Sequence, residues 1–199
     1  MGRGRMSNQL TREDVAKRSI LEIANEDNLC FPRSLVAAKV HCERGNLRTG
    51  PRHEMWEAVR FQRSSLQREY AIELTRNAGI VIPEEGCGIH EIHQFQRYLT
   101  SENIAIMVYG FKDFGRGGNP IFNGRTLLNS LDREPEHTLN IMYYEHRRHY
   151  NPILNLKAAA GSRGRYCVAC NFGYRPDRGH RCSKKCPRCY SPVNVTTQR

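Results

Sequence analysis

The first clear pattern along the chain is a block of closely spaced apolar positions, Leu35, Val36, Ala38 and Val40, behind Pro32. It suits a buried helix that starts at Pro32, runs to about Glu43 and is ended by Gly45. Upstream, Thr11-x-x-Asp14 resembles a capping box, and Val15, Ile20, Leu21, Ile23 and Ala24 give one apolar face, which predicts a short amphipathic helix to about Asn25. Pro51 restarts a helical pattern through Met55, Trp56, Val59, Leu66, Tyr70, Ala71 and Leu74, with Ser64-Ser65 as the place for a break and Asn77-Ala78-Gly79 as the stop. After a loop from Pro83 to Gly88, Ile89, Ile92, Phe95, Gln96 and Leu99 keep helical spacing to near Ser101.

The period then changes. Ile104 to Val108 is an apolar run of strand length, and Gly110 to Asn119 is a Gly-rich stretch expected to form a flexible hairpin or lid. Thr138 to Tyr144 alternates as a strand does, and Tyr150 to Leu156 reads as its partner across Glu145 to Arg148, which sets His149 at the mouth of a hairpin. Helices in front and strands behind give an α+β order. Three weaker patterns are read as structural. His90 and His93 lack the two-histidine, four-apart metal spacing; Gly115-x-Gly117-Gly118 does not open a helix after a strand; Asp132-x-Glu134 runs into Pro135 in a polar turn.

Composition adds a division of labour. The 199 residues allow one ordinary domain and a small appendage, with a formal charge of +11 that is unevenly placed. Residues 157 to 199 carry ten Lys/Arg against the single acid Asp177, while the middle of the chain is close to neutral. The expected organisation is a disordered basic arm over 1–10, the α+β domain over 11–156, a linker over 157–165, a metal-binding module over 166–191 and a tail over 192–199. No apolar signal segment opens the chain and no run is long enough to span a membrane, so it reads as an intracellular protein of cytoplasm or nucleus with no membrane partner. In such a reducing compartment eight cysteines are metal ligands or nucleophiles rather than disulfides, with Cys42 and Cys87 left as bystanders.

Candidate chemistry starts at Cys30. A thiol just before a Pro-initiated helix meets backbone N–H groups and the positive helix end, which stabilise a thiolate. His149 supplies a base and Asn151, two residues on and on the same side of an extended segment, a group to orient the ring. Asp27-x-x-Cys30-x-x-Arg33 before a helix, with His149-Tyr150-Asn151 heading an apolar strand, resembles the ovarian-tumour (OTU) class of cysteine proteases. The resemblance implies a papain-type fold with a helical front half and a small mixed sheet. It also implies Cys30 as nucleophile, His149 as general base, Asn151 as orienter and Asp27 as shaper of the oxyanion loop, acting on a ubiquitin-like or polyprotein substrate. Asn28 stands where that class has Gly, and Pro32 where it has an aromatic.

The C-terminal cluster is Cys167-x-x-Cys170, His180-x-Cys182 and Cys186-x-x-Cys189. Two such knuckles fifteen residues apart match a structural Zn²⁺ ribbon, with Cys167, Cys170, Cys186 and Cys189 as the first-choice ligands and His180 and Cys182 either replacing one knuckle or sharing a second ion with residues this chain lacks. Basic residues around it, Arg163, Arg165, Arg178, Arg181, Lys184, Lys185 and Arg188, are expected to contact nucleic-acid phosphates. The combined order from Asp27 to Cys189 also resembles the region ahead of the exonuclease domain in protein-primed family B DNA polymerases of Polinton/Maverick transposons. That implies a mobile-element or viral replication protein, with the rest of a polymerase as a partner. The rival reading is therefore a catalytically inactive, nucleic-acid-binding region of such a polymerase. No polymerase carboxylate motif stands in these residues, so the chain by itself is not expected to synthesise DNA.

Overall fold

A computed structural model of the chain describes residues 19–61, 65–162, 164–180, 182, 185, 186 and 188–191. The arm over 1–10, the Thr11–Asp14 helix start, the tail over 192–199 and the candidates Arg163, Arg181 and Lys184 lie outside the described residues.

The fold is built round α1, Cys30–Arg44. Its start is set by Asp27, whose Oδ1 accepts the Leu29 N–H at 3.0 Å, and Pro32 falls in the first turn, where its missing N–H costs nothing. Its end is set by Gly45, which at φ 55° donates to the carbonyls of His41 and Cys42. Every residue from Cys30 to Ala38 is buried, because the first half of α1 lies between a sheet and two further helices, α2 (Pro51–Arg60) and α3 (Leu66–Asn77). A fourth helix, α4 (Ile89–Leu99), opens with Glu91 accepting the Gly88 N–H at 2.7 Å and runs into a 3₁₀ turn ending at Glu102.

The sheet contains β1 (Ile104–Gly110), the two-residue β2 (Phe122–Asn123), β3 (His137–Tyr144) and β4 (His149–Pro152), in the order β2-β1-β3-β4. β1 and β3 are parallel and the outer pairs antiparallel, so the sheet is mixed. A short helix α5 (Arg125–Ser130) lies between β2 and β3. β1 is buried throughout, as a strand covered on both faces must be. One face carries Ile104, Ile106, Val108, Leu139 and Ile141 against Phe31, Leu35, Phe95 and Leu99. The other carries Met107, Tyr109, Met142 and Ile153 against Phe114 and the chain around α6 (Leu156–Ala159).

Three expectations are corrected. Residues 19–25 are extended, not helical: Ile20 bridges to Ile153, Leu21 donates to the Pro152 carbonyl at 3.1 Å and Leu154 to the Ser19 carbonyl at 2.7 Å. The apolar residues there satisfy a helical spacing, but the open edge of β4 offers their backbone partners that a free helix lacks. β4 ends at Pro152, short of the Leu156 expected, because α6 follows. The Gly110–Asn119 stretch is no free hairpin; Gly117 donates to the Asn171 carbonyl at 2.9 Å and Arg116 bridges to Phe172. The helices over 30–44, 51–60, 66–77 and 89–99, the strand after Ile104 and the β3–β4 hairpin stand where the pattern puts them.

Candidate functional site

Cys30 is the first residue of α1, and its sulfur meets β4 at the backbone N–H of Tyr150, the residue between His149 and Asn151. Two contacts hold this junction. Ser34, one turn along α1, donates its hydroxyl to the Tyr150 carbonyl at 2.9 Å, and the Tyr150 hydroxyl donates to the Cys87 carbonyl at 3.0 Å. The Tyr150 ring also meets Phe31 edge-on at 4.9 Å. Tyr150 and Ser34 are absent from the sequence-based site, although Ser34 stands at i+4 from Cys30, the spacing that shares a helix face.

His149 and Asn151 do share one side of β4, paired in register with Tyr144 and Met142. Asn151 is wholly buried, and its Oδ1 accepts the Ile23 N–H at 2.9 Å, which ties β4 to the extended segment before α1. Among the described residues the buried atoms His149 Nε2 and Asn151 Nδ2 have no hydrogen-bond partner. Burial lowers the His149 pKa and favours the neutral ring; contacts with Ile23 and Asn151 oppose this and Arg147 adds to it. Burial also pushes the Cys30 thiol up to about 11, against the helix-start N–H groups and that of Tyr150. Both shifts act in the same sense, toward a protonated thiol and a neutral imidazole. Among the described residues no hydrogen bond joins Cys30 to His149.

Asp27 organises the approach to Cys30. It accepts from Leu29 N–H, from Asn25 Nδ2 and from the Arg33 guanidinium, and Arg68 lies 3.5 Å away. Burial alone would raise this carboxyl, but those hydrogen bonds and the Arg33 charge outweigh it and hold the pKa below the ordinary value. Asn28 donates to the Pro83 carbonyl at 2.7 Å, so the 83–88 loop is strapped beside the turn. Cys87, read as a bystander, belongs to the same buried cluster as Cys30, and its thiol is pushed up by burial and by Cys30 itself.

The C-terminal cluster gives a candidate metal centre. β5 (Arg165–Cys167) and β6 (Phe172–Tyr174) form a hairpin that presents Cys167 and Cys170 at its turn. Donor atoms of Cys167, Cys170, His180 and Cys182 lie within 4.8 Å of one another, and this group could hold a metal ion. Sequence spacing paired the two Cys-x-x-Cys knuckles; the structure instead brings His180-x-Cys182 to the first knuckle and leaves Cys186 and Cys189 apart. The Cys182 sulfur is 3.5 Å from that of Cys167 and 3.4 Å from that of Cys170. Adjacent sulfurs of a tetrahedron with metal–sulfur bonds of about 2.3 Å are about 3.8 Å apart, so the donor set is compatible with Zn²⁺. Burial raises the Cys170 and Cys182 thiols, and hydrogen bonding among the crowded sulfurs moves Cys182 the same way, up to about 12. The His180 ring stacks on Tyr174 at 5.0 Å, and its buried Nε2 has no hydrogen-bond partner among the described residues.

Asn171 fastens this centre to the body. At φ 50° it closes the knuckle; its Oδ1 accepts from the Gly115 N–H at 2.8 Å and the Tyr166 hydroxyl at 2.7 Å, and its Nδ2 donates to the Gly118 carbonyl at 3.2 Å. Of the candidate phosphate contacts, Arg165 and Arg178 are exposed, as is Arg175, which the sequence reading passed over. Lys185 donates to Asn119 at 2.8 Å, and Arg188 pairs with Asp132 and Glu134. Among the described residues no helix is long and apolar enough to cross a membrane. No protein-family model matches the chain, and no curated protein or solved structure is significantly similar to it.

Proposed function

We propose that the protein is an OTU-like thiol-dependent peptidase carrying a Zn²⁺ module. The observation that supports this reading is the meeting of the α1 start with β4, which sets Cys30 against the residue between His149 and Asn151. A neutral His149 has the protonation state of a general base. Cys30 gives its proton to His149 as its sulfur bonds to the carbonyl carbon of a peptide or isopeptide bond. N–H groups of the 27–30 turn hold the oxyanion, and His149 returns the proton to the leaving amine. Water then hydrolyses the thioester. Asn151 keeps the ring oriented, and Asp27 holds the turn. Zn²⁺, held by Cys167, Cys170, His180 and Cys182, supplies the closure that a short segment with few apolar residues cannot provide for itself.

The test is labelling by a ubiquitin whose C-terminus carries a thiol-reactive electrophile. Adduct at Cys30 that is lost in His149→Ala is expected; no adduct, with the variant folded, overturns the reading. A second reading, a nucleic-acid-binding region in which the same fold is a scaffold, is favoured by the exposed Arg165, Arg175 and Arg178 beside the metal centre. Its mark is DNA binding that weakens steeply with salt, by about 0.9 log units per log unit of salt for each phosphate neutralised. Replacing those three arginines by Glu should abolish it.

A further inference from the structure

Cys186 and Cys189 stand outside the four-donor centre, yet the residue after each Cys-x-x-Cys pair takes the same left-handed backbone region. Asn171, after Cys170, has φ 50°, and Tyr190, after Cys189, has φ 60°; non-glycine residues take this region only when the turn requires it. Each turn is closed by a backbone hydrogen bond from that residue, to Val168 at 3.2 Å and to Cys186 at 2.9 Å. The Cys186 N–H also donates to the Ser191 carbonyl at 2.9 Å.

The body holds this turn from behind. Asn123 Nδ2 donates to the Cys189 carbonyl at 2.7 Å and Arg125 Nε to the Arg188 carbonyl at 2.6 Å. The Arg125 guanidinium lies 4.3 Å from the centre of the Tyr190 ring, and Arg188 reaches Asp132 and Glu134. These contacts hold Arg188, Cys189 and Tyr190 against the body. Every Cys and His of the sequence is among the described residues. The convergent group of three or more donors found among them contains neither Cys186 nor Cys189.

We infer that Cys186 and Cys189 form a second, separate half-site for a thiophilic divalent cation such as Zn²⁺. Two coordination positions are left to water or to donors of a partner. Binding forms two metal–sulfur bonds and releases the two thiol protons, so the site loads better as pH rises. With two protein donors it holds its cation more weakly than the four-donor centre does. The inference is independent of the peptidase reading.

Cobalt(II), titrated into the reduced, metal-free 199-residue chain, tests it. Two equivalents are expected, each with thiolate-to-cobalt absorption, the second binding more weakly. Cys186→Ser/Cys189→Ser should lose the second and keep the first, and Cys170→Ser should weaken the first. Mapping alkylation by mass spectrometry needs no variant: the second equivalent should slow modification of Cys186 and Cys189 at least tenfold. One equivalent with no protection of that pair, or a Cys186–Cys189 disulfide in freshly purified protein, overturns the inference.

Discussion

Cys30 and the cysteines of the metal centre are the same side chain under opposite constraints. Cys30 is buried among Phe31, Cys87 and Tyr150, and burial pushes its thiol up even though backbone N–H groups point at it. Cys167, Cys170 and Cys182 are only partly buried, but they are crowded against one another within 3.5 Å. A lone buried thiol stays inert until a base takes its proton at the moment of reaction. Crowded sulfurs ionise together only if a cation neutralises them, which suits a group that could hold a metal ion.

Removing the cation is the harshest way to test that contrast. Under a strong chelator at neutral pH, amides of the 164–180 segment are expected to exchange with solvent while α1, β1 and β3 stay protected, read by hydrogen–deuterium exchange. Equal protection of 164–180 with and without metal would remove the structural role of the centre. The next effect is on the Cys30 side. Phe31→Ala takes out a wholly buried ring between Phe95 and Tyr150, and should cost about 3–5 kcal/mol in urea unfolding and speed alkylation of Cys30.

Asn151→Ala should cost about 1–3 kcal/mol, since it leaves the Ile23 N–H buried without its acceptor. A loss near zero would mean the 19–25 segment is held by its other contacts. Alkylation of Cys30 by iodoacetamide should still be climbing at pH 10, because its thiol titrates near 11, whereas a free thiol titrating at about 8.5 has levelled off by then. A plateau below pH 9 would show that the site holds a thiolate after all.

The smallest expected effect is the pH dependence of stability. Burial holds His149 neutral to a lower pH than in the unfolded chain, so above about pH 6.5 the group is neutral in both states and contributes no slope. As pH falls below that value the unfolded state takes up a proton first, and stability declines until the folded ring titrates too. His41 shifts in the same direction and shares the decline. His149→Gln should flatten part of it, seen as a smaller fall in melting temperature between pH 6.5 and 5; an unchanged slope would assign the whole effect to His41.

Much of the fold was legible because its boundaries are written locally. Gly45, Pro51 and Gly79 fix helix ends by backbone geometry alone, Pro32 marks a first turn, and the switch from helical to strand spacing at Ile104 needs no knowledge of partners. What failed was whatever depends on a distant partner. Leu21 and Ile23 are extended because Pro152 and Asn151, 131 and 128 residues away, take their N–H groups, and no local window contains that. The site divides in the same way. His149 and Asn151 could be paired from their i, i+2 spacing, but the burial that raises the Cys30 thiol comes from β4 and α1 meeting. Spacing also shows which cysteines share a knuckle, while which knuckle meets which pair is decided by the chain between 171 and 180.

Asn171 carries a consequence for engineering. Its side chain holds both Gly115 and Gly118, so the surface loop between them is a socket rather than a spare connection. Ala160 closes that socket from the other side, where even a methyl group at Gly115 would come within 2.9 Å of its Cβ. Glycine-rich loops between strands are the usual places to graft a tag, a label or a domain. Here an insertion at 115–118 would part the metal module from the sheet, and the 47–49 turn between α1 and α2 is the safer site for a graft.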